Sequence, residues 1–404
     1  MKRMDIVVFT TRDWSEYQRR PHYTALANYA RVLAVELPVT PFSMLRDSGK
    51  ASRWARGEKG LRRESPSLYV YTPLSLMPYG LSYRRDGLSA LNSRTLAWDV
   101  RRILKRLDFK NWVQIFFLPY QDGLQRILDP VLRCFEIVDE YTTLHAPDSD
   151  PNTRHDRRVA MLEARIARQV DLVLATSRTL YDRKRALNPH TYYVPNAADV
   201  DHFAKARGPN GAHFLPGLTE LPSPRIGFIG HMTDFLDVDL LRGLARARPA
   251  WSLVLVGEDN TTAGFRADCD FAGFLRMPNV HWLGRRDYEV LPDYLRELDA
   301  CVMPYQPRDR MQYSHPNKMY QYLASGKPVV STDFPAAREL DHVIEVAPDR
   351  DAFFERLDHV LSRDTAAAGA RRVAVAEANS LDVRARQKIG ILTRHLENKG
   401  SGGL

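Results

Sequence analysis

The sequence predicts an α/β protein of two doubly wound, Rossmann-like domains facing a central cleft. Three observations carry that prediction. A chain of 404 residues exceeds what one ordinary core fills. Short apolar β-type runs alternate with helical patterns through both halves, as parallel sheets covered on both faces require. Between the halves, residues 204–224 crowd glycine and proline (Gly208-Pro209-Asn210-Gly211, Leu215-Pro216-Gly217, Leu221-Pro222-Ser223-Pro224), the texture of a linker. The expected domains are residues 1–203 and 225–380, with a helix over 381–404 that crosses back to the first domain before a flexible tail at 400–404.

In the first half, strands are expected at 6–10, 67–71, 113–118, 134–138 and 171–176, with helices near 22–36, 90–107, 155–169 and 178–186. Parallel sheets place their ligands beyond the carboxyl ends of the strands. That rule selects the loops starting at Thr11, Pro119, Asp139 and Ser177. The first of these supplies Arg12, Trp14, Arg19, Arg20 and His22 as candidate ligand contacts facing the crevice; the alternative is solvated arginines and a packed Trp14. The loop at 139–145 places Asp139, Glu140 and His145 where chemistry or substrate binding would occur, or where an acid caps the next segment.

In the second half, strands are expected at 225–229, 252–256, 280–283, 300–303, 329–331 and 342–346. Helices are expected near 236–248, 288–298, 318–325, 335–340 and 350–362. The strand-end loops carry Gly230-His231, Gly257-Glu258, Gly284-Arg285-Arg286 and Pro304-Tyr305, and glycine there lets backbone approach a ligand closely. Neither GxGxxG nor GxxxxGK[ST] occurs, so dinucleotide and P-loop readings lose their main support. The pairs Asp148/Asp150, Asp237/Asp239 and Asp268/Asp270 fall in helices or turns rather than at strand ends, and no metal site is expected of them.

The stretch 314–332 organises this half. Ser314 and Pro316 open a helical pattern that ends at Gly326, before the β-branched run Val329-Val330-Ser331-Thr332. Met319, Tyr322 and Leu323 form an apolar face; Ser314, Lys318, Gln321 and Ser325 form a polar one. A lysine beside a helix start builds an anion site that suits a phosphate. The bland alternative is a surface helix with a solvated Lys318.

Composition limits the function classes. Hydrophobic content of 44% and charged content of 26% are those of a soluble globular protein. The formal charge of +9 lies wholly in residues 1–202, with 32 Lys+Arg against 23 Asp+Glu, whereas the remainder balances at 26 against 26. The first half should therefore meet an anionic partner. Residues 46–63 concentrate Arg46, Lys50, Arg53, Arg56, Lys59, Arg62 and Arg63 around Trp54 and Leu61. That pattern suits an anionic membrane surface or a solvated loop; no nucleic-acid module accompanies it, and no nucleic acid is expected. Cys134, Cys269 and Cys301 lie far apart without metal spacing, so reduced thiols and a cytoplasmic location are expected. No apolar stretch approaches the roughly 18 residues of a membrane span, so a membrane contact would be peripheral, at the inner face of the plasma membrane.

Three stretches carry a family resemblance. Pro316-Asn317-Lys318-Met319-Tyr320-Gln321-Tyr322-Leu323-Ala324-Ser325-Gly326 resembles the nucleotide-sugar motif of glycosyltransferase family 4, and Val194-Pro195-Asn196-Ala197-Ala198-Asp199 resembles its domain-junction motif. Gln18-Arg19-Arg20-Pro21-His22 with Ile137-Val138-Asp139-Glu140-Tyr141 is similar to bacterial cell-surface polysaccharide enzymes of the teichuronic acid type. The resemblance implies a GT-B fold and a retaining, metal-independent transferase without cofactor. The first domain would take a lipid-linked or polysaccharide acceptor, the second a UDP- or GDP-linked sugar. Lys318 would bind donor phosphate, with Arg308 or Arg310 as a second cation. Gln321 would meet the ribose, and the loops at Gly257 and Gly284 the base. Gly230, His231, Glu258, Arg285, Tyr305, Ser314 and Asn317 complete the expected donor pocket, and Asp139 becomes a positioning residue beside the reacting centre. The chain departs from the family where two glutamates stand eight residues apart, having Tyr313 and Gln321, and where an Arg/Lys pair follows the strand, having Gly230-His231-Met232. A nucleotide-sugar epimerase or hydrolase, or a sugar-binding subunit without turnover, are the alternative readings on the same fold.

Overall fold

The computed structural model describes residues 3–16, 19–46, 52, 54–55, 60–75, 86–119, 122–140, 154–208, 215, 217–307 and 309–401. The chain divides into two compact units, one of Met1–Pro195 with Asp382–Leu404, the other of Asn196–Leu381. The division falls before the Gly/Pro-rich stretch rather than within it. The reason is packing: Val200, Phe203, Ala206, Leu215 and Leu218 are all buried in the core of the second unit.

In the first unit the described strands are β1 (Met4–Phe9), β2 (Ala30–Val35), β3 (Leu61–Ser65), β4 (Leu68–Tyr71), β5 (Val113–Phe116), β6 (Leu132–Ile137), β7 (Leu172–Ala175) and β8 (Thr191–Tyr193). They form one sheet in the order β3-β4-β2-β1-β5-β6-β7-β8. Every pairing is parallel except β3 with β4. The central strands are apolar and buried on both faces, as a sheet covered by helices on each side demands. The helix expected near 22–36 is corrected: it spans only Arg20–Leu26, and its second half is β2, paired in parallel with β1 and β4. The run Val32-Leu33-Ala34-Val35 is buried throughout, and such a run is equally compatible with a central strand. The helices Asp86–Arg106, Arg154–Gln169 and Arg178–Arg185 lie where the periodicity puts them. The last helix, Leu381–Ser401, includes the first two residues of the expected tail.

Most of the basic segment 46–63 lies outside the described residues. Within it, Arg62 and Arg63 belong to β3, and Arg62 ion-pairs with the buried Glu36 at 2.8 Å instead of facing a membrane. Among the described residues, no helix is long and apolar enough to cross a membrane. All three cysteines are free, Cys134 and Cys301 buried.

The second unit has its own parallel sheet of β9 (Arg225–Ile229), β10 (Ser252–Val256), β11 (Val280–Trp282), β12 (Ala300–Met303), β13 (Val329–Thr332) and β14 (Glu345–Ala347). Its order is β11-β10-β9-β12-β13-β14. From β9 the chain moves outward to β10 and β11, then returns to place β12 on the other side of β9. The topological switch point therefore lies between β9 and β12, where doubly wound sheets bind their ligands. Short helices at Ala263–Asp268 and Phe271–Leu275 and a longer one at Ala366–Ala378 escaped the periodicity. Asp237 and Asp270 cap helices, accepting from the Leu240 and Gly273 N–H groups, which accounts for two of the Asp-x-Asp pairs without a metal.

Candidate functional site

At the carboxyl end of β9 the chain turns through Gly230, whose N–H donates to the Val256 carbonyl at 2.8 Å. The neighbouring turn after β10 is Gly257, whose N–H donates to the Gly284 carbonyl at 2.9 Å. These glycines are needed for space as well as for their φ of 152°. A Cβ on Gly257 would stand 2.0 Å from the Gly230 carbonyl oxygen, and one on Gly230 would stand 2.3 Å from the Lys318 ammonium nitrogen. Two strand-end turns are thus brought together, with a lysine from the helix Lys318–Ala324 lying against them.

The lysine is held by aromatic rings. Its nitrogen lies 3.8 Å from the ring centroid of Phe228, in β9, and 5.2 Å from that of Tyr305, which follows β12. The ammonium therefore sits over the switch point itself. Among the described residues no carboxylate neutralises it, and burial alone pushes its pKa down to about 7. Tyr322, one turn further along the same helix, accepts from the Ile229 N–H at 2.8 Å and donates to the Ile229 carbonyl at 3.1 Å. Those two bonds fasten the helix to the end of β9, and so fix where Lys318 stands.

The helix start differs from expectation. Ser314 does not cap it; its hydroxyl donates to the Arg310 carbonyl at 3.1 Å. Asn317 occupies the cap position with helical dihedrals and no side-chain bond to the helix, and its Oδ1 is buried without a partner. Arg308 lies outside the described residues. Arg310 is described: its guanidinium lies 5.4 Å over the Phe235 ring, and burial lowers its pKa to about 10. Gln321 is half-buried on the same helix as Lys318.

The rim of the site is polar. His231 Nδ1 lies 3.1 Å from the Asn260 amide nitrogen and 3.9 Å from the Glu258 carboxylate. Trp282 donates from its indole to the Gly257 carbonyl at 2.9 Å, a fixing contact that the sequence reading missed. Arg285 is exposed beside Gly284, while Tyr305 is buried and turned toward the core, its N–H bonded to the Thr332 hydroxyl at 3.1 Å.

In the first unit the expected acceptor residues divide. Arg12 and Arg20 are exposed. Trp14 is buried, with its backbone N–H donating to Glu36. Arg19 and His22 turn into the interior. Arg19 pairs with Glu136 of β6, and burial, reinforced by the charges of Arg19 and Lys388, holds His22 well below its usual pKa. Glu140 is buried and ion-paired with Arg183, and Asp139 accepts from the Glu140 N–H at 3.0 Å. His145 lies outside the described residues.

Comparison with known proteins bears first on the second unit. Residues 223–363 match the family model described as glycosyl transferases group 1. A Bacillus subtilis (strain 168) protein assigned to teichuronic acid biosynthesis as the glycosyltransferase TuaH is 30% identical over 182 residues. That alignment covers 44% of this chain and 44% of the relative, so less than half of the relative's length is matched. Among solved structures, sucrose-phosphate synthase from Thermosynechococcus elongatus superposes with a TM-score of 0.71 at 16% identity, covering 98% of this chain and 100% of that one. Anabaena HepE in complex with UDP and glucose gives a TM-score of 0.65 at 13% identity, covering 96% and 99%. At these identities the likeness establishes the fold: a GT-B pair of Rossmann-like domains.

Proposed function

We propose that the chain, whose residues 223–363 match the family model described as glycosyl transferases group 1, is a retaining glycosyltransferase that draws its sugar from a UDP- or GDP-linked donor. One observation carries the reading: an ammonium with no carboxylate partner among the described residues, boxed between Phe228 and Tyr305 against the Gly230 turn, at the switch point of a parallel sheet. A cation desolvated in this way gains most from a ligand that brings its own negative charge. The diphosphate of a nucleotide sugar is such a ligand, and it also uses the close backbone approach that glycine permits.

Chemically, cleavage at the anomeric carbon leaves negative charge on the diphosphate. Lys318, whose ammonium form the arriving anion favours with a proton taken up from solvent, stabilises that leaving group, and Arg310 or Arg308 adds a second cation. Gln321 meets the ribose hydroxyls, and the Gly257 and Gly284 turns face the base. Asp139 positions the acceptor hydroxyl. The acceptor is a lipid-linked or polysaccharide glycan of the bacterial cell surface, a reading that the resemblance to TuaH supports over the matched segment. A calorimetric screen of uridine, guanosine and adenosine diphosphates tests the proposal directly. One nucleotide should bind the wild type and fail with Lys318→Ala. Equal binding by both proteins would remove the site from consideration.

A further inference from the structure

The helix Asp86–Arg106 presents a face to solvent that is cationic and apolar at once. From Leu91 onward its exposed positions hold Leu91, Thr95, Trp98 and five cations, Arg94, Arg101, Arg102, Lys105 and Arg106; the half-buried Asp99 pairs with Arg102 at 3.0 Å, so the face stays strongly net cationic. Trp98 is 67% exposed and Leu91 55%. The opposite face buries Leu96, Val100 and Ile103 in the unit's core, so the helix is anchored and its outer face is fixed in orientation. Further apolar surface lies alongside. Ser75 donates to Asn92 Oδ1 at 2.6 Å, which brings the exposed Leu74 to the start of this stripe. The Ser75 N–H donates to the Val39 carbonyl at 2.8 Å, just before the helix Pro41–Arg46 that carries the 87%-exposed Leu45.

We propose that this face rests on an anionic lipid bilayer. The stripe from Leu91 to Arg106 is about 22 Å long, enough to lie flat across several headgroups. Anionic headgroups complement the net positive charge of this face, while Trp98, Leu91, Leu74 and Leu45 enter the boundary between headgroup and acyl chain, where an indole ring is favoured. A nucleic acid would satisfy the cations and leave the leucines in water, so the combination selects a lipid surface. Single basic residues near such a surface each strengthen binding several-fold, and the effect is screened by salt. The inference goes beyond the transferase reading. It stands on the helix Asp86–Arg106 and the exposed leucines beside it, not on residues 46–63, and holds whatever the chain transfers.

The test is vesicle co-sedimentation of the full chain, with phosphatidylglycerol/phosphatidylcholine vesicles against pure phosphatidylcholine. Wild type should bind the anionic vesicles and release at high salt. Arg94→Gln with Lys105→Gln should weaken binding on the order of tenfold, and Trp98→Ser should weaken it independently. All three positions are exposed, so unfolding should be unchanged, and a thermal melt checks this. Wild-type failure to bind, binding indifferent to these substitutions, or a duplex oligonucleotide that outcompetes the vesicles would each overturn the proposal.

Discussion

Lys388, on the final helix, donates to both carboxylate oxygens of Glu136 on β6, at 2.8 and 2.9 Å. Both residues are buried, and Arg19 and the Tyr23 hydroxyl complete the carboxylate's partners. The final helix is thus tied to the middle of the first unit's sheet by a charge pair closed across 252 positions of chain. Burial alone would raise the Glu136 pKa; the charges of Lys388 and Arg19 override it and hold the carboxyl below its ordinary range.

Breaking that pair leaves a buried carboxylate short of one cation. Lys388→Met should destabilise the protein by roughly 3 kcal/mol, read as a lower denaturant midpoint with an unchanged slope. A midpoint equal to wild type would show that Arg19 and Tyr23 suffice. The sign of the pH effect follows from the lowered pKa. Stability from Glu136 is present above the unfolded carboxyl pKa of about 4.3 and is lost as pH falls through the lower folded value. The Met variant should show a flatter acid limb.

Lys318 predicts a pH-dependent ligand affinity. Its pKa of about 7 means that the empty site holds a largely neutral amine in mildly alkaline buffer. A nucleotide sugar, whose phosphates stay ionised across this range, restores the charge, so binding takes up a proton. Affinity should be level below pH 7 and fall by up to about tenfold per unit above it, until the pKa of the complex is reached. Calorimetry in buffers of different ionisation enthalpy reads the uptake. Lys318→Met should bind weakly and lose both the uptake and the slope.

Gly230 and Gly257 should respond differently to the same methyl group. At Gly230 the clash is with the tip of a flexible lysine, so Gly230→Ala should displace the ammonium and cost ligand affinity, with a loss of stability on the order of 1 kcal/mol. At Gly257 the clash is with backbone, the Gly230 carbonyl, which cannot move without breaking the turn. Gly257→Ala should therefore lower stability by about 2 kcal/mol or more. Similar melting temperatures for the two variants would contradict this.

Much of the second unit was legible because its signals are local. Val329-Val330 after Gly326, and glycine after each of β9, β10 and the 280–283 run, name strand ends and turns without any long-range information. Lys318 stood out from its place beside Pro316 on a polar stripe, and the structure sets it against Phe228 and the Gly230 turn; the anion it would take is a proposal. The first unit hid more. β2 and a helix continuing from His22 look alike as apolar runs, and only pairing with β1 and β4 decides between them. Arg19 and His22 read as ligand contacts because a polar loop after a strand suggests a crevice; Glu136, inside an otherwise apolar strand, draws Arg19 inward instead. Ser314 misled for a similar reason: its hydroxyl donates to the Arg310 carbonyl, and Asn317, not Ser314, stands at the cap position of the helix.

Tyr322 offers the sharpest separation of scaffold from chemistry. Its hydroxyl both accepts from and donates to the Ile229 backbone, in a buried site at the end of β9. Tyr322→Phe keeps the ring and removes both bonds, leaving a buried N–H and a buried carbonyl unpaired, at a cost of about 2 kcal/mol. The next residue but one along the chain from the freed N–H is His231, and the Gly230 turn between them touches the Lys318 ammonium. Loosening that turn should lower nucleotide affinity several-fold while leaving the pH slope intact, because Lys318 still titrates. Loss of affinity together with loss of the slope would mean that Tyr322 sets the lysine's environment directly. Unchanged stability would mean that water replaces the hydroxyl at no cost, and that the helix is held by its apolar face alone.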